Sequence, residues 1–409
     1  MKRNARITHI SLAILAVAML PRVAESDHKK IERIMKNIGY GIRQKEGELK
    51  LPKYKGKQSI VDGQETIGTT YLYSVPLGLP ASKMTKVESE INVFSDGLNK
   101  PVEVEYKKLL MIHVFNEELP ELFPYVELPS KYDWNVPLGK SLRGILWHNF
   151  DHTPHMTAAG TTRFGKTVFL RMMMTYLIEH HQNNVEFYII DLKGGLEFNR
   201  YKVLEQVKDV ACDIYEATEL LGKLQSMFVK DYEFFRKNNY SNVVDTKIKK
   251  RRFIIVDEAA QLAPDKFHSK QEKQLLSYCQ GVLSEVARVA GALGYRLIYA
   301  TQYPTADTLP RQIKQNADAK ISFRLPSGYA SKVAIDDVGA EELPSNIKGR
   351  AIFKTHELRE LQAPFISHEE MWQRLEKYQE AQVLEVKPND IIEYREKENE
   401  TREDLVKFE

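Results

Sequence analysis

Apolar positions fall into two rhythms along the chain. In DHKKIERIMKNIGYGIR (residues 27–43), Ile31, Ile34, Met35 and Ile38 recur at helical spacing until Gly39 and Gly41 end the pattern. From residue 50 into the sixties the text is polar, with Pro52, Gly56 and Gly63, and reads as loop. Residues 69–75 read as a strand, 81–94 as a short helix, and PVEVEYKKLLMIHVF (101–115) as one or two strands. Three prolines in PELFPYVELPSKYDW (120–134) mark a connector. Beyond it, short apolar runs alternate with longer helical stretches. EFYIIDL (186–192), RFIIVDE (252–258), RLIYATQ (296–302) and AKISFRL (319–325) are strand-like, and residues 217–236 and 271–290 are helical. Buried strands spaced by helices predict an α/β fold, a parallel sheet flanked by helices on both faces. The predicted division is an N-terminal helical segment (1–45), a small α/β domain (46–130), a large domain (131–365) and a charged tail (366–409). No internal repeat is present, and the text after about residue 380 is rich in Glu and Lys and reads as a solvated extension.

Composition narrows the class. At 409 residues, 43% hydrophobic and 28% charged, the chain is long enough for two or three packed domains and unlike a disordered one. A net charge of +3 permits a nucleic-acid partner without arguing for one. Cys212 and Cys279 stand far apart without metal-ligand spacing, which fits a reducing cytoplasm. At the start, Lys2, Arg3 and Arg6 precede an apolar run, residues 7–20, with Ala16-Val17-Ala18 as a candidate cleavage site. The run is short for a membrane span of ~20 residues. A packed or membrane-associated helix is the favoured reading over an export signal, and a cytoplasmic protein the expectation.

The chemistry concentrates in GTTRFGKT. Gly160, Thr161, Thr162, Arg163, Phe164, Gly165, Lys166 and Thr167 satisfy G-x-x-x-x-G-K-[ST], with a strand-like HMTAA before and a helix-like TVFLRMMM after. In that setting, loop and helix-start amides face anionic oxygens, and Lys166 brings a cation to the β and γ phosphates. The Thr167 hydroxyl is placed to ligate Mg²⁺, so ATP and Mg²⁺ are the expected cofactors. RRFIIVDEAAQL then puts Asp257 and Glu258 at the C-terminal end of a buried strand, where such sheets place ligand chemistry. Asp257 is the expected second Mg²⁺ group, and Glu258 the expected base for the attacking water. Gln302, ending the next strand, reads either as a sensor of the γ phosphate or as a polar residue opening a loop.

These segments together resemble the FtsK/SpoIIIE family of DNA-pumping ATPases. VPLGKSLRGILWHNFDHTPHMTAAGTTRFGKT (136–167) looks like the family's approach into its Walker A motif, and FIIVDEAAQL like its Walker B. IIDLKGGLEF (189–198) sits where the family carries an Asp-x-Lys segment. ARVAGALGYRLIYATQYPTADTLPRQIKQNADAKISFRL (287–325) is similar to its most characteristic block, and GAEELP (339–344) follows in order. Even GLPASKMTKVESEI resembles the small domain preceding the motor, so residues 65–355 are covered.

The resemblance implies a RecA-like motor working as a homo-hexamer around double-stranded DNA, with a neighbour's arginine completing each ATP site. Arg288 and Arg324 are the candidates, each also readable as a surface ion-pair residue. Two departures stand out. Arg163-Phe164 replaces the family's usual Gly-Ser, and the short tail leaves no room for a winged-helix DNA reader. With no multi-pass anchor either, the chain looks like a mobile-element form, a coupling ATPase of a conjugative element or plasmid. Relaxase and membrane channel proteins are then possible partners. The alternative is a nucleotide-switched adaptor that recruits a DNA–relaxase complex without pumping.

Three other features are set aside. His148, Asp151, His152 and His155 in WHNFDHTPH tempt a metal reading, but Pro154 spoils a helix there and the segment reads as loop. KIKKRR (247–252) reads as a solvated charge run before a DNA contact. Phe228, Tyr232, Phe235 and Tyr240 read as core positions of a helix face rather than a base-stacking platform.

Overall fold

The computed structural model describes residues 25–44, 48–79, 90–129 and 133–379. The apolar run 7–20, the first part of the helix expected over 81–94, and the tail after residue 379 lie outside the described residues. The expected membrane association is corrected to what is shown: no helix among the described residues is long and apolar enough to cross a membrane. The chain divides into two units, Met1–Leu119 with Leu142–Gly144, and Pro120–Ser141 with Ile145–Glu409.

The first unit holds helix α1 (Asp27–Asn37), strands β1 (Lys53–Asp62) and β2 (Glu65–Ser74), helix α2 (Ile91–Leu98), and strands β3 (Val102–Lys107) and β4 (Leu109–Phe115). Its antiparallel sheet runs β1-β2-β4-β3. Ile31, Met35, Tyr73, Phe94 and Ile112 meet in its core, so α1 is part of this unit rather than a separate segment. Strand β1 stands where sequence predicts loop. Its side chains are half-buried or exposed along its whole length, which removes the apolar alternation that marks a strand. What forms it is the two-residue turn at Gly63 (φ +60°), which folds the chain back so that Asp62 pairs with Glu65.

The second unit is built on a ten-stranded sheet. Its strands are β5 (Asn135–Ser141), β6 (Gly144–Asn149), β7 (Met156–Ala159), β8 (Val185–Asp191), β9 (Val207–Ala211), β10 (Arg251–Asp257), β11 (Tyr295–Thr301), β12 (Ala319–Phe323), β13 (Arg350–Lys354) and β14 (Leu358–Gln362). They lie in the order β9-β8-β10-β11-β7-β12-β13-β14-β5-β6. The block from β9 to β12 is parallel, and β13 and β14 continue it antiparallel. Central strands read as unbroken apolar runs because both faces are covered: Phe253, Ile254, Ile255 and Val256 are all fully buried.

On one face lies helix α3 (Lys166–His181), whose Phe169, Leu170, Met172, Met173 and Leu177 are buried in a shared core. It is apolar nearly all round, as a helix enclosed by protein must be. Helices α4 (Ile214–Lys237) and α5 (Lys270–Val289) cover the other face through Leu220, Leu224, Leu276 and Leu283. Helix α6 (Arg311–Asn316) contributes Ile313 to the same core, and α7 (Gly328–Ile335) packs its Ala330 and Ala334 in a smaller cluster with Leu325.

Both limits of this unit differ from expectation. Tyr125, in the expected connector, is buried and donates to Glu179 Oε2 at 2.5 Å, so the unit starts at Pro120. Helix α8 (His368–Leu375) buries Met371, Trp372 and Leu375, so the packed fold passes residue 365. Phe228 and Phe235 are core residues, but Tyr232 and Tyr240 are exposed, 54% and 42%. The latter two are corrected: Tyr232 falls off the sheet-facing stripe of α4, and Tyr240 lies beyond its end.

Candidate functional site

The loop after β7, the Asp257–Glu258 pair after β10 and Gln302 after β11 all lie at the C-terminal ends of the parallel strands. The loop after β7 is tied to both neighbouring strands: the Gly160 N–H donates to the Thr301 carbonyl at 3.2 Å, and the Thr161 N–H to the Arg324 carbonyl at 3.1 Å. The Thr161 hydroxyl donates to the same Arg324 carbonyl at 2.9 Å. Gly160 is required by space, since a Cβ there would lie 2.7 Å from Phe323 Cβ. Gly165 caps α3 at φ +114°, which favours glycine. Arg163 holds φ +73°, a left-handed conformation with a steric cost for a side chain. The Gly349 N–H donates to the Phe164 carbonyl at 3.0 Å and closes the loop from below.

Lys166 opens α3 and reaches across to β10, donating from Nζ to Asp257 Oδ1 at 2.5 Å, with both side chains buried. Asp257 Oδ2 is buried and takes no hydrogen bond. Glu258 follows at φ +59°, a second strained non-glycine residue. Its Oε1 accepts the Gln302 N–H at 3.3 Å, and its Oε2 lies 3.1 Å from Lys193 Nζ. The Gln302 side-chain oxygen accepts from the Thr162 hydroxyl at 3.0 Å, coupling the loop to the end of β11. Lys166, Asp257, Glu258, Gln302 and Thr162 thus form one connected set.

Two groups complete the rim, and residue patterns alone did not single them out. Asp191, fully buried at the end of β8, accepts backbone N–H bonds from Glu197 at 3.0 Å and Phe198 at 3.1 Å. That folds the KGG turn so that Lys193 faces Glu258, while Glu197 pairs with Arg171 of α3. The signal available was an acid ending a strand two residues before Lys-Gly-Gly, as Asp191-Leu192-Lys193-Gly194-Gly195. Beside these groups lies a cavity of about 700 Å³ lined by the loop residues Gly160 to Arg163, by Gly165, Lys166 and Thr167, and by Lys193, Glu197 and Gln302; Asp191, Asp257 and Glu258 are not part of that lining. That volume suits a nucleotide.

The arginines separate. Arg324 follows β12 and its guanidinium donates to the Leu343 carbonyl, while its own carbonyl braces Thr161. Arg288 is exposed in the last turn of α5, which ends where β11 begins, at the opposite edge of the sheet. It does not join the set within this chain.

That opposite edge takes the histidine-rich segment. Asp151 accepts from Arg251 Nε at 2.7 Å and Nη2 at 2.9 Å, and from Arg296 Nη2 at 2.6 Å. Burial would raise the Asp151 carboxyl, but the two guanidinium groups hold it below its ordinary value. His148 and His155 are buried, which pushes both down to about 3, and His155 Nδ1 accepts the Leu297 N–H at 3.0 Å. Of the basic run 247–252, Arg251 serves Asp151, Arg252 pairs with Glu186 and Asp231, and Lys250 with Glu186. Among the described residues no group of three or more His, Cys, Asp or Glu side chains is placed to hold a metal ion.

Comparison with known proteins follows the same residues. The DNA translocase FtsK of Leptospira interrogans is 25% identical over 375 residues, which covers 85% of this chain and 37% of the relative. That of Streptococcus agalactiae is 26% identical over 333 residues, covering 74% and 39%. The chain therefore spans less than two fifths of the length of these relatives. Among solved structures, the pCW3 conjugation coupling protein TcpA, determined with ATPγS, superposes with a TM-score of 0.60 at 21% identity, covering 86% of this chain and 99% of that one. EssC (ATPases 2 and 3) from Geobacillus thermodenitrificans gives 0.53 at 14% identity over 64% of this chain and 51% of its own. These structural likenesses show the shared P-loop motor fold. The FtsK/SpoIIIE family model matches residues 130–338, just over half of the sequence and the whole of the connected set, and the chain belongs to that family of P-loop ATPases.

Proposed function

We propose that the protein is an ATP-driven double-stranded DNA translocase that works in DNA transfer by a conjugative element or plasmid. The observation that carries the proposal is the connected set at the cavity: a phosphate-type loop, Lys166 on Asp257, and Glu258 held between Gln302 and Lys193. Lys166 exchanges its carboxylate partner for the β and γ phosphates when a triphosphate enters. Glu258 takes the proton of the attacking water, and Gln302 orients that water. The residues fit Mg²⁺: Asp257 Oδ2, beside Lys166, is a buried acceptor without a partner, and Thr167 lines the cavity next to Lys166. The ion would neutralise charge on the triphosphate, as in other P-loop enzymes.

A homo-hexameric ring around DNA is the assembly that suits this motor. Arg288 supports it, since an exposed arginine remote from its own chain's cavity is free to reach a neighbour's. Arg324 remains the second candidate. The names of the relatives, DNA translocases and a conjugation coupling protein, support the substrate and the setting.

A second reading, a nucleotide-switched adaptor that brings a DNA–relaxase complex to a membrane channel, is favoured by Arg163, whose strained backbone in the phosphate loop suits slow turnover. One experiment separates the two: phosphate release with and without duplex DNA, alongside ATP-dependent displacement of a triplex strand. Stimulation by DNA and strand displacement, both lost in Lys166→Ala, support the translocase. Slow turnover indifferent to DNA, with no displacement, supports the adaptor.

A further inference from the structure

The cavity has walls that the phosphate chemistry does not use. Besides the loop residues, its lining includes Leu122 and Phe365. Both are large apolar side chains left open to solvent, at 58% and 46% exposure. They stand on two chain segments that meet in a short parallel ladder, Pro364 opposite Phe123 and Phe365 opposite Pro124. Their distance from the phosphate loop is fixed by main-chain bonds. The Ala363 N–H donates to the Gly349 carbonyl at 2.8 Å, and the Gly349 N–H to the Phe164 carbonyl at 3.0 Å. The neighbouring Gln362 is engaged at both ends of its amide, donating to the Lys348 carbonyl at 2.7 Å and accepting from Arg350 at 3.0 Å. It braces the wall and is not available to read a ligand.

We propose that Leu122 and Phe365 are the apolar walls that hold the base of the bound nucleotide. The inference rests on residues 160–167 being the phosphate cradle, and it names what the apolar lining of the same cavity recognises: the π face of a heteroaromatic ring. The lining supplies what stacking needs, an aromatic side chain and an aliphatic one in the same cavity as the phosphate loop. Base–aromatic stacking is sensitive to removal of the ring but tolerant of which base is present. Phe365 is therefore a specificity residue for nucleotide over bare polyphosphate, and Leu122 adds to it with smaller effect.

The test compares ATP with inorganic tripolyphosphate by titration calorimetry on the full chain in Mg²⁺ buffer. Wild type binds ATP more tightly than tripolyphosphate. Phe365→Ala weakens ATP roughly tenfold and leaves tripolyphosphate unchanged, and Phe365→Trp retains ATP affinity. Phe365 is half exposed, so its truncation leaves the fold intact. Unchanged ATP affinity in Phe365→Ala, or equal weakening of both ligands, overturns the proposal. Failure of the wild type to bind either ligand overturns the cradle assignment itself, and Lys166→Ala, which weakens both, checks that assignment independently.

Discussion

The two rims of the parallel sheet use the same kinds of residue to opposite ends. At the N-terminal rim, Asp151 takes three guanidinium hydrogen bonds, from Arg251 at the start of β10 and Arg296 near the start of β11. At the C-terminal rim, Lys166 makes one bond to Asp257, whose second oxygen is buried without a partner. The backbone there is held at φ +73° in Arg163 and +59° in Glu258. One rim is a closed clamp that joins the ends of neighbouring strands. The other stores strain and unsatisfied polarity, which the fold tolerates where a ligand will answer them. Neither charge density nor unpaired polarity alone separates the two, since Arg296 Nε and His148 Nε2 at the first rim are also buried without a partner; the left-handed backbone at Arg163 and Glu258 and the half-paired Asp257 carboxylate do.

If the first rim is structural, the largest stability effect belongs there. Asp151→Ala leaves Arg251 and Arg296 buried without their carboxylate, and a loss of about 3 kcal/mol is expected in denaturant unfolding. The KM for ATP of the folded fraction should not move. An unchanged midpoint, or a selective loss of ATP affinity, would erase the distinction between the rims.

Acid tests the same rim next. Folded His148 and His155 stay neutral down to about 3, against an ordinary 6.5. The unfolded chain therefore binds more protons in that interval. Stability contributed by keeping both rings neutral is complete above pH 6.5 and falls as pH drops toward 3. Chemical denaturation across that range should show the fall, and His155→Gln should make its slope shallower. An unaltered slope in the variant contradicts the burial argument.

The smallest effect lies in the strained loop. Arg163→Gly removes a side chain from a left-handed position and should raise stability by up to about 1 kcal/mol, read as a higher melting temperature. A lower melting temperature would mean that the arginine makes a compensating contact.

How much of this was legible depended on how local the determinants are. Strands β8, β10, β11 and β12 announce themselves because a strand covered on both faces must be apolar throughout. The phosphate loop and the Asp257–Glu258 pair are legible because their chemistry needs contiguous residues at fixed spacing. Strand β1 was not, since a solvated edge strand carries no apolar rhythm and its only mark is the turn at Gly63. Leu122 lay in a proline-rich connector and Phe365 at the expected end of the large domain, and only the pairing of their segments brings them to one cavity. Lys193 was noticed as part of a family segment, but its partner Glu258 is distant in sequence and close only through the adjacency of β8 and β10.

The most direct test of the open rim separates binding from cleavage at Glu258. Glu258→Gln keeps the size of the side chain and removes the proposed base, so ATP should bind with wild-type affinity while single-turnover hydrolysis falls by ~10²-fold or more. Hydrolysis by this variant at the wild-type rate, with ATP bound equally well, would contradict the assignment of this rim as the site where ATP is cleaved.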